Sequence, residues 1–374
     1  CGTVLLEKKF FITEEQAVTP AEILMGAFTD ADKIYINGIC CGSSYDRYAP
    51  RIYPVAPGIL RAGENVVCIH LYVFRGRGGA MPGKQYGIRF KKGKERWLDL
   101  SGTWDAQIRK QMEYLPEKTF FNYMASAMFN GMISPVSPYK ICAVIYYQGE
   151  SDVGHPNRYA LEFRALVNDW RKSWKEKQLP IIYVQLAGFS DGNIKKQGTQ
   201  WAEFREVQRQ AMEIENTAMI QAYDVGEYND LHPMDKKTLG MRAALAVHKL
   251  VYGEKEECTG PQVRKIRLDR DKRVHAVFDQ PLQTGSKKDG CELVSEVELR
   301  KANGDYKRAY VTVDGNEICA WLSDGEEPTG IRYAWKDCPM NICLYGKKGL
   351  PVIPFIKEWG RDAIYTGKIC ETYR

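Results

Sequence analysis

The sequence predicts a mixed fold: a parallel α/β core of the βαβ kind, flanked by an N-terminal and a C-terminal antiparallel β-sandwich. Three observations carry this. Residues 1–110 hold short β-rich runs such as "KIYINGIC" (33–40) and "ENVVCIHLYVF" (64–74), punctuated by Gly and Pro, with no long helical period. Residues 111–257 alternate apolar runs with helical periods, which is the pattern of parallel strands joined by right-handed crossovers. Residues 258–374 return to strand alternation in "RVHAVFD" (273–279), "SEVELRKA" (295–302) and "ICAWLS" (318–323).

The middle part supplies the detail. "ICAVIYY" (141–147) is a continuous apolar run, and after it Tyr159, Phe163, Leu166, Val167, Trp170 and Trp174 recur at helical spacing up to Pro180. A second strand, "IIYVQLA" (181–187), a second helix, "WAEFREVQRQAMEI" (201–214), a third strand, "AMIQAYDV" (218–225), and a last helix near 235–251 follow. Three strands are few for such a sheet, so its remaining strands would come from outside this stretch.

Composition removes several classes of function. At 44% hydrophobic and 27% charged residues, with no apolar run near the roughly 18 residues of a membrane span, no membrane role is expected. The net charge of +6 comes from Lys and Arg interleaved with Asp and Glu, as in "WRKSWKEK" (170–177), so no nucleic-acid partner is expected either. The eleven cysteines lack zinc-type spacing, and an odd number leaves at least one thiol free or paired between chains. Cys338 and Cys343 are placed to bridge locally or to remain two buried thiols. The chain starts at Cys1 without an initiator Met or a signal-peptide pattern, and it is expected to be a piece of something longer, which leaves its location unassigned.

In open parallel sheets, ligands sit beyond the carboxyl ends of the strands. Two polar clusters fall there. "QGES" (148–151) follows the first strand and "GEYNDLHP" (226–233) follows the third. His232 is a candidate general base, and Asp230, two residues earlier, can orient its imidazole; Asp224 and Glu227 are alternative partners. Gln148 can offer an amide N–H to an oxyanion or a sugar hydroxyl, Gly149 permits close backbone approach, and Glu150 can orient its neighbours. "GESDVG" (149–154) approaches the nucleophile-elbow pattern but has Val153 where the second Gly belongs, which leaves Ser151 a weak alternative nucleophile. "GGAMPGKQ" (78–85) ends in Gln85 where a phosphate loop needs Ser or Thr, and no helix follows it.

Several blocks together resemble the sialate O-acetylesterases of the SGNH hydrolase superfamily. They are "NGMISPVSPYKICAVIYYQGESD" (130–152), "DWRKSW" (169–174), "LPIIYVQLAGF" (179–189), "REVQ" (205–208), "DLHPMDKKTLGMRAALA" (230–246), "IRYAWKDCP" (331–339) and "GLPVIPF" (349–355). "VLLEKKFFIT" and "GAFTDADKIYINGICCG" resemble the galactose-binding-like sandwich inserted in those enzymes. The resemblance implies hydrolysis of acetyl esters on O-acetylated sialic acids or related sugars, with no metal or other cofactor. It implies His232 as the catalytic histidine, Asp230 as its partner, and Gln148, Gly149 and Glu150 as the oxyanion or substrate block. Many relatives space the Asp three residues before the His, where this chain has Asn229.

The family's nucleophilic Ser sits in a Gly-Gln-Ser-Asn block upstream of the inserted sandwich, and this chain has no such block. The resemblance therefore implies that a companion N-terminal segment supplies the Ser, and that this chain alone is weak or inactive. The competing expectations are an esterase that uses Ser151, and a non-catalytic carbohydrate-binding protein. Relatives are often secreted or periplasmic.

Overall fold

In the computed structural model, which describes residues 1–93, 96–116, 119–190, 197–285, 294 and 296–359, the chain forms two units, Cys1–Phe121 and Asn122–Arg374. The first is built from antiparallel strands. Five of them pair in the order Asp105–Gln111, Gly2–Ile12, Gly63–Val73, Ala31–Ile36 and Ile39–Ser44, and four in the order Trp97–Asp99, Tyr86–Phe90, Ala21–Met25 and Ile52–Val55. Alternation explains the packing: Val67, Ile69, Leu71 and Val73 point to one side of their strand and meet Ile23, Met25, Ile88 and Phe90 of the second sheet in one apolar core.

The run 33–40 is two strands and not one. Asn37 and Gly38 both have positive φ, 50° and 80°, and turn the chain into a hairpin, the geometry that an Asn-Gly pair favours. Inside this unit Arg51 is fully buried. Its Nε donates to Asp32 Oδ1 at 2.6 Å and its other nitrogens donate to the carbonyls of Asp46, Ala49 and Phe28. Burial outweighs the guanidinium at Asp32 and raises its carboxyl above the ordinary range.

The second unit contains a three-stranded parallel sheet: β1 (Val144–Tyr146), β2 (Ile181–Gln185) and β3 (Thr217–Gln221), in that spatial order. Its connections are α1 (Pro156–Ser173) and α2 (Gln200–Gln210), and α3 (Lys236–Leu250) follows β3. Every residue of β2 is buried, because both faces of the sheet are covered. Ile181 and Tyr183 pack with Phe163 and Val167 of α1 and Phe204 of α2, whereas Ile182 and Val184 pack with Leu239, Ala243 and Ala246 of α3.

The apolar run at 141–147 yields a strand of only three residues. Ile141, Cys142 and Ile145 are exposed, and the outer edge of β1 pairs with no strand among the described residues.

The same unit continues into two four-stranded antiparallel sheets. One has the order Val263–Leu268, Val274–Phe278, Glu317–Trp321 and Tyr310–Asp314; the other has Tyr306–Arg308, Val297–Arg300, Gly330–Tyr333 and Phe355–Glu358. They share a core that also includes Tyr223, just beyond β3, whose hydroxyl donates to the Val352 carbonyl. Thr259 likewise donates to the Met219 carbonyl of β3 at 2.9 Å. Cys338 and Cys343 are separate buried thiols, and Cys291 and Cys370 lie outside the described residues. No helix among the described residues is long and apolar enough to cross a membrane.

Candidate active site

The parallel register sets the geometry of the rim. The three strands run parallel: Tyr146, the last residue of β1, pairs with Tyr183, which pairs with Met219, and β2 and β3 continue two residues further to the Gln185–Gln221 pair, so all three carboxyl ends face the same way. Gln148 leaves β1 two residues after Tyr146, and the loop that carries Asp230 and His232 leaves β3. The two clusters therefore stand on one rim with the end of β2 between them. With about 4.8 Å between neighbouring strands, the ends of β1 and β3 are roughly 10 Å apart.

At the first cluster the chain turns at Gly149, which is buried with φ 147°. A Cβ there would lie 2.8 Å from Cε1 of Phe204 and 3.0 Å from its Cζ, so glycine is required both by conformation and by contact with α2. Gln148 is tied to its own turn: Tyr146 donates to its Oε1 at 2.8 Å and its Nε2 donates to Asp152 Oδ2 at 2.8 Å. The Asp152 carboxylate fixes the amide orientation, since the opposite one would set oxygen against oxygen. One of the two amide N–H groups is thereby taken up by Asp152. Glu150 and Ser151 begin a short 3-10 turn, where Glu150 is half-buried and Ser151 is exposed. Burial raises both Tyr146 and Tyr147 well above the ordinary phenol range, with nearby carboxylates adding to the effect, so both hydroxyls stay protonated donors.

At the second cluster Asp230 is only 10% exposed at its side chain and His232 is 53% exposed. Asp230 Oδ1 accepts from the backbone N–H of His232 at 2.9 Å and stands 3.8 Å from His232 Nδ1. That is ion-pair range, and a closure of under about 1 Å would turn it into a hydrogen bond. Asp224 is committed elsewhere: both of its oxygens accept from Arg242, at 2.7 and 2.6 Å, in a nearly buried bidentate pair. The loop ends at Asp235, which caps α3 by accepting from Thr238 N at 2.9 Å and from its hydroxyl at 2.6 Å.

Sequence reasoning passed over the support between the clusters. Gln208 of α2 is fully buried, donates to the Val184 carbonyl at 3.2 Å and accepts from Leu186 N at 2.9 Å, which ties α2 to the end of β2. Gly226 approaches Gly188 so closely that a Cβ on it would lie 2.8 Å from the Gly188 carbonyl oxygen, and Ser190 N donates to the Tyr228 carbonyl at 2.6 Å. The available signal was a polar residue at a core position of the α2 period, Gln208 lying four residues after Phe204. Among the described residues no group of His, Cys, Asp and Glu is arranged to hold a metal ion.

Residues 106–249 match the family model described as carbohydrate esterase, sialic acid-specific acetylesterase. The human sialate O-acetylesterase is 28% identical over 264 residues, which are 62% of this chain and 48% of the human protein. The chain is similar to sialate O-acetylesterases over this stretch. The mouse sialate O-acetylesterase is 30% identical over 275 residues, 62% of this chain and 47% of that protein. Among solved structures, a carbohydrate acetylesterase from Xanthomonas citri aligns with TM-score 0.55 and 29% identity, over 61% of this chain and 52% of its own. The chain thus spans about half the length of the curated relatives it matches.

Two outcomes follow from the local geometry. Gly149→Ala should destabilise the second unit by about 2 kcal/mol or more, through positive φ and the Phe204 contact, read as a lowered denaturant midpoint. Asp235→Ala should cost about 1 kcal/mol through the lost cap. Hydrogen bonding to Thr238 holds the Asp235 carboxyl below its ordinary pKa, so the cap's contribution is complete above the unfolded carboxyl pKa and fades as pH falls through the lowered folded value. Wild type and Asp235→Ala should therefore converge in stability in strong acid.

Proposed function

We propose that the chain is the histidine-bearing part of a carbohydrate O-acetylesterase of SGNH type, acting on acetyl esters of O-acetylated sialic acids or related sugars. The first unit would be its galactose-binding-like sandwich and the strands after 258 its C-terminal sandwich. One observation carries the catalytic reading: Gln148 and His232 stand on the same carboxyl rim of one parallel sheet, in a chain that resembles sialate O-acetylesterases.

In this reading a Ser hydroxyl attacks the acetyl carbonyl while His232 takes its proton. Asp230 stabilises the imidazolium that forms, and the free amide N–H of Gln148 donates to the developing oxyanion. The sugar hydroxyl leaves with the proton from His232. Water then attacks the acetyl-serine, again with His232 as base, and acetate departs. Gly149 holds the tip in place, and Glu150 orients it.

The Ser comes from a companion N-terminal segment. The support is the outer edge of β1, which pairs with no strand among the described residues and which an added parallel strand would cover. Beside it a groove of about 550 Å³ is lined by Ile145, Tyr147, Leu239, Ala243, Val247 and Tyr252, and the buried Tyr147 hydroxyl finds no hydrogen-bond partner among the described residues. A parallel sheet needs cover on both faces, and an apolar strand with its helix meets that need.

The test is acetate release from O-acetylated sialic acid, with and without a segment bearing Gly-Gln-Ser-Asn. Release should need the segment and should fall by roughly 10³-fold or more in His232→Ala. Release by the chain alone, abolished in Ser151→Ala, would overturn the companion-segment proposal.

A further inference from the structure

Among the links from the C-terminal strands back to the rim is a short strap, Lys336–Cys338, whose contacts converge on both halves of the candidate site. Asp337 Oδ1 accepts from the backbone N–H of Trp201, in the first turn of α2, at 2.9 Å. Its carbonyl accepts from Arg205 at 3.2 Å and from Phe189 N at 3.3 Å, and its own N–H donates to the Gly198 carbonyl at 3.0 Å. Arg205 also donates to the Lys336 carbonyl, and Cys338 N donates to Gln197 Oε1 at 2.7 Å. Arg205 is completely buried, and burial lowers its pKa to about 10. A buried guanidinium held mainly by backbone carbonyls is costly to place, so the strap and α2 have one mutual position.

From this anchor two short routes lead to the rim. α2 carries Phe204 and Gln208 to Gly149, so a shift of α2 moves the Gln148 tip. Gly188 packs on Cys338, where a Cβ would lie 3.0 Å from the sulfur. Through the contact of Gly188 with Gly226 and of Ser190 with Tyr228, the strap reaches the loop of Asp230 and His232.

We propose that Asp337 is a positioning residue for the candidate site, setting the register of the Gln148 tip against the His232 loop from outside the sheet. This rests on the esterase reading for its catalytic consequence, though not for the coupling itself. The Asp337 carboxylate touches no reacting atom. Its backbone and side chain hold Phe189, Gly198 and the first turn of α2, and α2 and residues 188–190 lead to Gln148 and to the His232 loop.

The experiment uses the full 374-residue chain with isotope-labelled histidines, whose five imidazole signals are assigned by single His→Ala variants. Asp337→Ala should move the His232 signal and leave those of His70 and His275 in place. Asp337→Asn, which keeps an acceptor for Trp201 N–H, should restore the His232 signal. Gly198→Ala provides a second probe, since its Cβ would lie 2.8 Å from Asp337 Oδ2, and it should move His232 in the same direction. With the companion segment present, Asp337→Ala should lower kcat about tenfold with KM within about twofold, and Asp337→Asn should recover kcat.

An unchanged His232 signal in both Asp337→Ala and Gly198→Ala would overturn the proposal, as would equal movement of His70 and His275. If the complemented wild type releases no acetate, the esterase reading fails, and the histidine signals still decide the coupling.

Discussion

The parallel pairing of β1, β2 and β3 is the constraint on which the site depends. Because the three strands run parallel, all their carboxyl ends open on one rim, and whatever follows them is delivered there together. That pairing is itself possible because α1 and α2 cover one face of β2 and α3 covers the other. The helices leave the loops at the rim free to be polar, and the apolar cost is carried by the strands behind them.

Rigidity at the rim comes from glycines and buried amides more than from ion pairs. Gly149 against the Phe204 ring and Gly226 against the Gly188 backbone leave no room for a Cβ at either glycine. Gln208 stitches α2 to Val184 and Leu186. Arg242 with Asp224 fixes the base of the His232 loop to α3, and Asp230 stands 3.8 Å from the His232 ring. The C-terminal strands share this frame through Tyr223, Thr259 and Asp337, so the sheet at the rim and the strands after 258 hold one another.

Much of the secondary structure was legible because burial leaves a period in the sequence. Ile181 to Gln185 reads as a continuous apolar run since both faces are covered, and the Tyr159, Phe163, Val167 spacing reads as a helix since one face is. The exceptions have physical causes. The run at 33–40 hides a turn, because Asn37 and Gly38 accept positive φ while Ile36 and Ile39 keep the apolar pattern going. The run at 141–147 shortens to three residues because its outer edge has no partner among the described residues. The rim itself was visible as two polar clusters after apolar strands. What no local pattern carries is the link from Trp201 to Asp337, 136 residues away, or the tie between Gln148 and Asp152, since each depends on how the backbone folds back and not on periodicity.

The most direct measurement is covalent trapping of the nucleophile. The chain, combined with a companion segment bearing Gly-Gln-Ser-Asn, would be treated with an organophosphonate ester reagent and the labelled residue located by peptide mass spectrometry. A shared Ser and His232 site predicts one label, on the segment's Ser, that is lost in His232→Ala. A label on Ser151, or one on the segment that persists in His232→Ala, would contradict it.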